Sequence, residues 1–332
     1  MRCKWCYAQC TEYLKEDDLA LSSACRLIDI FSDLNIRHIV LIGGEPTIYP
    51  HLFDVIDYCH KKNITCGIVT NGIKCAEADF VKELAAHGIR SVSLSLKGEN
   101  EKAFKNVTGI DAFGKVLHAV RLCLSEGIKV NVSMVLTEEN IDSYLEGIAQ
   151  MKALGVERFR LSFCYHFNMQ QVDSEQYLRE HNPKQLIGKF CKNYDKLDEI
   201  TDHHFLLSEG YPLCLWDDGI IMKMKKKRQI TTVCQLLAKC GLLFDTKGNI
   251  IPCNAMPFIK LGRLDEDFTN AEELQRHMAE PKIIETYQRL CGVPDEKCLR
   301  CEKLVNCGGG CVCQWTNYDL KTLLRVTGVV NG

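Results

Sequence analysis

The residues best placed to do chemistry are four cysteines in Cys298-Leu-Arg-Cys301-Glu-Lys-Leu-Val-Asn-Cys307-Gly-Gly-Gly-Cys311, spaced C-x2-C-x5-C-x3-C. A CxxC pair folds both sulfurs onto one side of a tight turn, where they can grip a metal centre. The three glycines before Cys311 remove side chains where backbone must approach that centre closely. Zinc and iron–sulfur clusters both use four thiolates, so this block indicates a metal before it indicates which one. A second pair, Cys3-Lys-Trp-Cys6, stands at the start of the chain, and cysteines concentrate again from Cys234 onward.

The sequence holds 20 cysteines in 332 residues. Disulfide frameworks of such density belong mostly to small secreted domains behind a signal peptide. This chain opens Met-Arg-Cys-Lys-Trp-Cys with acidic residues soon after, which does not read as a signal peptide. The expected compartment is the cytoplasm, where dense cysteines mean metal or redox chemistry. The formal net charge of -2 builds no global field for nucleic acid or an anionic membrane. Apolar runs such as Ile220-Ile221-Met222 are far too short to span a bilayer. Neither a nucleic-acid nor a membrane partner is expected. The length fits about two domains, or one barrel with an appendage.

The elements that must position these cysteines alternate. Apolar, β-branched stretches fall near 38–42, 65–69, 89–96, 128–136 and 158–163, with amphipathic helical patterns at 52–61, 76–87, 113–126 and 141–154. In the second of these helices Phe80, Leu84 and Ala85 share a face. Gly88, Gly127 and Gly155 stand where C-terminal helix stops belong. Such alternation predicts a parallel sheet with right-handed crossovers. Its chemistry would sit on loops after the strand C-terminal ends, here Gly43-Gly44-Glu45-Pro46, Thr70-Asn71-Gly72 and Lys97-Gly98-Glu99. The pattern weakens after Phe163. A helix is expected over 183–194, and a domain boundary within 205–233. The basic run Met222-Lys-Met-Lys-Lys-Lys-Arg228 reads as a solvated face.

Cys3-Lys-Trp-Cys6 resembles the end of the C-x3-C-x-aromatic-C motif of the radical SAM superfamily, with Cys3, Trp5 and Cys6 matching its last two cysteines and aromatic. The first cysteine of the motif, and the barrel strand that precedes it in the family, would lie upstream of Met1. The expectation is therefore an internal methionine and an upstream start; the alternative is Cys10 as a substitute third ligand, and Cys10 otherwise reads as a helix-start or structural cysteine. Three thiolates on a 4Fe–4S cluster leave one iron open. In the family, S-adenosylmethionine (SAM) takes that iron. Its one-electron reduction yields a 5′-deoxyadenosyl radical that abstracts hydrogen from substrate. The resemblance implies that Gly43, Gly44 and Glu45 form the GGEP loop that meets the SAM ammonium. The alternative reading of Glu45-Pro46 is a helix N-terminus. It further implies Asn71 on the second-strand loop and Ser95 on the ribose, although Lys97 stands where many relatives have Asp. Asn131 and Asn140 receive no role.

The C-terminal half resembles the SPASM extension of that superfamily. Gly248-Asn-Ile-Ile-Pro-Cys253 gives its G-x4-C; Cys234 precedes Gly248 by 13 intervening residues, within the family's range, and Cys240 by seven, and relatives with two cysteines at this point use both. The resemblance implies one auxiliary 4Fe–4S cluster on Cys234, Cys240, Cys253 and Cys311. A second would use Cys298, Cys301, Cys307 and one more ligand. Only Cys313 follows Cys311, so either Cys313 serves, or the second cluster has an open or non-cysteine position, or the chain is cut short.

Cys25, Cys59, Cys66, Cys75, Cys123 and Cys191 lie in helical or strand patterns and read as small core residues. Cys164 and Cys214 are the candidate catalytic thiols, each able to return a hydrogen atom to a substrate radical. Trp216-Asp217-Asp218-Gly219 could place a base or simply form a turn, and His166, His203 and His204 read as solvated or core histidines. The expected fold is α/β: a partial (β/α)6 TIM-type barrel over 1–205, its first strand absent, a bridge over 206–233, and a small Cys-rich auxiliary-cluster domain over 234–325. The expected function is a radical SAM maturase that modifies a peptide or protein side chain by thioether or carbon–carbon crosslinking, epimerisation or oxidation. An electron donor such as flavodoxin or ferredoxin would serve it. The alternatives are a radical SAM enzyme of sugar or cofactor biosynthesis, and a non-catalytic zinc or iron–sulfur module.

Overall fold

The computed structural model describes residues 1, 3–6, 17–164, 183–208, 210–232 and 241–315. Its centre is a seven-stranded, wholly parallel sheet in consecutive order: β1 (His38–Leu41), β2 (Thr65–Thr70), β3 (Ser91–Leu96), β4 (Lys129–Leu136), β5 (Arg158–Phe163), β6 (Phe205–Ser208) and β7 (Ile230–Thr231). Strands that follow one another without reversal, joined by crossovers of one hand, place every helix on the same face. These are α1 (Leu21–Asp33), α2 (Leu52–Lys61), α3 (Ala78–Ala86), α4 (Glu101–Thr108), α5 (Phe113–Ser125), α6 (Tyr144–Ala153), α7 (Pro183–Ile200) and α8 (Asp218–Lys226).

Burial along the strands records this asymmetry. In β3 and β4 every second residue is buried, namely Val92, Leu94 and Leu96, then Val130, Val132, Met134 and Leu136. A parallel sheet covered on both faces would read as an unbroken apolar run. Here the intervening residues are polar except Val135. Register sets Ser93 beside Asn131, Ser95 beside Ser133, and Ser133 beside Arg160. One face carries the core and the other is a half-exposed polar wall, as in a half-barrel.

The sequence pattern missed β6, β7, α1 and α4. β6 has four residues and β7 two, too few for alternation to show. α4 has eight residues and buries only Phe104, Val107 and Thr108. The stretch 206–233, expected to be a bridge, thus supplies strands to the parallel sheet. α7 runs to Ile200, six residues beyond its expected end. The basic run lies on and just after α8, where Lys223, Lys225 and Lys226 occupy the helix's last turn. There cations suit the helix dipole.

A second, three-stranded antiparallel sheet joins β8 (Leu243–Phe244), β9 (Asn249–Ile251) and β10 (Gly262–Arg263), with β9 central. After it come α9 (Ala271–Met278), α10 (Pro281–Leu290), α11 (Leu304–Cys307) and α12 (Val312–Trp315). α1 welds the two layers together. Ala24 and Ile28 enter the core under the parallel sheet, while Leu27 and Ile30 pack with Ile250, Leu261, Leu264, Phe268 and Leu274. Removing Leu27, which is 3% exposed, should cost about 2–5 kcal/mol. In Leu27→Ala, hydrogen exchange is expected to rise across 243–283 while 91–136 keeps its protection.

Candidate functional site

The GGEP loop leaves the C-terminal end of β1. Gly43 has φ +145°, and a Cβ built on Gly43 or Gly44 meets no atom within 4 Å. The loop thus opens a bare stretch of backbone to the outside. Glu45 then caps a short 3₁₀ turn, Pro46–Ile48, with Pro46 at its first position. This is the helix-start geometry that the sequence allowed. The Glu45 carboxylate also ties two loops together. Oε1 accepts from Thr47 N (3.2 Å), Thr47 Oγ1 (2.6 Å) and Thr70 Oγ1 (2.6 Å), and Oε2 accepts from Asn71 N (2.7 Å). Thr70 is 2% exposed and passes the linkage on by accepting from Gly72 N at 3.0 Å. Asn71 Oδ1 is held by Ile73 N at 2.8 Å. Oε2 accepts one of these bonds, and a carboxylate oxygen has room for a second.

Sequence reasoning gave Thr47 and Thr70 no part. The signal was present as Glu-Pro-Thr47 and Thr70-Asn71, but only register between β1 and β2 shows that they meet one carboxylate. Asn140 is a structural residue. Its Oδ1 accepts from Thr137 N and its Nδ2 donates to Val135 O, both at 2.8 Å.

The Cys3–Cys6 turn lies at the same edge of the sheet. Cys6 N donates to Cys3 O at 3.1 Å, and Lys4 N donates to Val107 O at 3.1 Å. Lys4 Nζ reaches Glu139 Oε1 at 2.9 Å. Burial pushes the Cys3 thiol above its ordinary range, against the pull of the nearby Lys97 ammonium. Lys97 follows Ser95 out of β3, so the position that departs from many relatives stands within electrostatic reach of Cys3. Ser95 Oγ lies 3.4 Å from Ser133 Oγ on the polar face. Cys164, at the end of β5, is 7% exposed. Burial, aided by Glu138 and opposed by Lys97, pushes its thiol up to about 12. Cys10, Cys234, Cys240 and His166 lie outside the described residues.

In the C-terminal part, Gly248 (φ +77°) turns the β8–β9 hairpin. Asp245 braces that turn by accepting from Lys247 N and Asn249 N, both at 2.9 Å. The glycine of G-x4-C is therefore a hairpin residue, and the strand after it delivers Cys253. The second CxxC repeats the first, because Cys301 N donates to Cys298 O at 3.1 Å. Gly308, Gly309 and Gly310 all have positive φ, from 57° to 80°. A Cβ on Gly310 would stand 2.7 Å from Pro212 N, so these glycines admit neighbouring backbone.

Two groups of thiols result. Cys253, Cys311 and Cys313 gather around Ala255, Met256, Leu290 and Val312, and a hydrogen bond from Cys313 lowers the Cys311 thiol. Cys214 and Cys307 stand within electrostatic reach of Cys298 in the other. Burial raises the Cys298 thiol, and Cys214 and Cys307 add to that rise. Among the described residues, no three His, Cys, Asp or Glu side chains stand close enough together to hold a metal ion as placed. The donor chemistry nevertheless suits a soft metal centre. Two of the sulfurs already accept backbone N–H bonds, Cys253 Sγ from Ala255 N (3.4 Å) and Cys307 Sγ from Leu213 N (3.3 Å). Such bonds favour a thiolate and tune clusters.

The other features have ordinary explanations. Asp217 caps α8 by accepting from Ile220 N. His203 Nδ1 lies 2.9 Å from Asp198 Oδ1. Cys59, Cys66, Cys75 and Cys123 are buried, with Cys25 and Cys191 half-buried. No helix among the described residues is long and apolar enough to cross a membrane.

Comparison with known proteins agrees with this geometry. Residues 1–151 match the family model described as Radical SAM superfamily. The chain is 30% identical over 151 residues to a GTP 3',8-cyclase of Clostridium perfringens (strain SM101 / Type A), a match covering 44% of this chain and 46% of that protein. It is 30% identical over 143 residues to the Fe-coproporphyrin III synthase of Methanosarcina barkeri, covering 42% and 35%. The match thus spans less than half the length of these relatives. Native anSMEcpe with bound AdoMet has a similar fold at TM-score 0.69 and 17% identity, over 99% of this chain and 96% of that one. SuiB of Streptococcus suis bound to S-adenosylmethionine is similar at TM-score 0.66 and 18% identity, over 94% and 70%. The match to the radical SAM superfamily model thus falls on residues 1–151, within the parallel half-barrel, and the resemblance to anSMEcpe and SuiB is one of fold.

Two outcomes follow. In Glu45→Gln an amide NH₂ replaces one of two acceptor oxygens that face only donors. Urea unfolding should show a loss of about 1–3 kcal/mol. In metal-free protein at pH 8, mass spectrometry after iodoacetamide treatment should find the exposed Cys301 alkylated. Cys164, protonated until about 12, should stay unmodified up to pH 10.

Proposed function

We propose that this chain is a radical SAM enzyme acting on a peptide or protein side chain. When bound, the cluster and SAM supply a 5′-deoxyadenosyl radical. The residues of this chain hold and orient them. Cys3 and Cys6 are two of the three thiolates for the SAM cluster. Gly43 and Gly44 present bare backbone, and Glu45 Oε2 retains an acceptor position for the SAM ammonium. Thr47, Thr70 and Asn71 fix that carboxylate in place. Ser95 and Ser133 on the polar face provide hydroxyls for the ribose. Cys253 and Cys311, with Cys234 and Cys240, form one auxiliary centre, and Cys298, Cys301 and Cys307 belong to a second. Electrons would come from a flavodoxin or ferredoxin.

The observation that carries the peptide reading is the extent of the fold likeness. It runs over 94–99% of the chain, Cys-rich part included, for anSMEcpe and SuiB. Structures of both include peptide-bound forms, with a Cp18Cys peptide and with the precursor peptide SuiA. The small-molecule reading rests on the GTP 3',8-cyclase match, which is confined to 44% of the chain.

The test is anaerobic reconstitution with iron and sulfide, followed by SAM and dithionite. 5′-Deoxyadenosine should form and should vanish in Cys3→Ala and Cys6→Ala. Short peptides encoded beside the gene should raise the yield and change in mass. Turnover of GTP with unchanged peptides would favour the second reading.

A further inference from the structure

For the centre built on Cys298, Cys301 and Cys307, the fourth ligand that the sequence offers nearby is Cys313. The structure seats Cys313 elsewhere. It is 1% exposed, packs with Ala255, Met256, Leu290 and Val312, and lies against Cys253 and Cys311. It belongs to the other group of thiols.

A different segment is docked on this centre. Gly210 O accepts from Cys311 N at 2.6 Å, and the left-handed Gly310 leaves room for Pro212. Leu213 N donates to Cys307 Sγ at 3.3 Å. Lys303 Nζ reaches Asp218 Oδ1 at 2.5 Å, and Thr232 Oγ1 donates to Asn306 O at 2.6 Å. Five contacts therefore hold 210–232 against 303–311. The residue after Leu213 is Cys214, one Cα step of about 3.8 Å along the chain from an amide already bonded to a ligand sulfur. Its side chain is exposed, so no packing opposes a rotation toward Cys298 and Cys307.

We propose that Cys214 is the fourth thiolate of the metal centre formed by Cys298, Cys301 and Cys307. The ligand set becomes four cysteines, with three from the C-terminal block and one from the loop after β6. This rests on the reading of that block as an auxiliary iron–sulfur centre. It gives Cys214 a structural coordination role in place of the catalytic one expected from sequence. It also has a mechanical consequence. Tyr211, Leu213 and Trp216 are buried in the core under the parallel sheet, so metal at this centre would cross-link the edge of the half-barrel to the Cys-rich block.

The test compares the whole chain with Cys214→Ala, Cys313→Ala and Cys298→Ala after reconstitution with ferrous iron and sulfide. Iron and sulfide are counted per chain, and low-temperature EPR is recorded before and after mild oxidation. Cys298→Ala should lose about four irons, which establishes that the centre exists. Cys214→Ala should lose about four irons, or about one on oxidation with a three-iron signal, as expected when one iron lacks a thiolate. It should also exchange amide hydrogens faster over 210–216 and 298–311, with 65–136 unchanged as the check on folding. Cys313→Ala should keep the iron and the spectrum of the parent at the centre lost in Cys298→Ala. Parent-like iron and spectra in Cys214→Ala, with loss in Cys298→Ala, would overturn the role of Cys214 alone. Parent-like iron in Cys298→Ala, or zinc without sulfide in the parent, would instead overturn the iron–sulfur reading beneath it.

Discussion

A parallel sheet must hide its helix-facing side chains, and in this chain all seven strands run in order with helices on one face only. That constraint shapes the rest. It buries Val92, Leu94, Val132, Met134 and Leu161 and leaves the opposite face to Ser95, Asn131, Ser133 and Arg160. Among the described residues no helix layer covers this second face, and the loops at the strand ends rim it. The site is thus a consequence of one-sided coverage.

At that rim, one carboxylate carries much of the organisation. Glu45 gathers the β1 and β2 loops through four hydrogen bonds. Charge-assisted bonds of this kind are about twice as strong as neutral ones, so the glycine backbone before Glu45 is held in place while remaining open. The structural reading of Glu45 and its proposed role toward SAM are compatible, because the bonds load Oε1 more heavily than Oε2. Fixing a ligand in advance avoids reorganisation when the cofactor arrives.

The cysteines separate by environment. Those in the helix layer are core residues, with Cys59 and Cys66 in sulfur contact at 3.9 Å. Among the described residues after β6, Cys253, Cys311 and Cys313 pack together and Cys307 meets the 210–216 segment, while α1 packs against both the parallel sheet and the β8–β10 layer. The Cys-rich region is therefore held to the half-barrel through apolar packing as well as through any metal.

The sequence by itself determined the strand–helix alternation, the GGEP and CxxC turns and the thiol-rich character of the C-terminal half. These are local: periodicity, turn chemistry and spacing act within about ten residues. The short strands β6 and β7 escaped because two to four residues carry no period. The meeting of Glu45 with Thr70 and Asn71, the packing of Cys313 with Cys253, and the docking of Leu213 on Cys307 were decided only by tertiary structure. Each joins residues 25 to 94 positions apart, and no local pattern encodes which distant backbone a given side chain will meet. That choice is made by the register of the strands and by the packing of the helices beneath them.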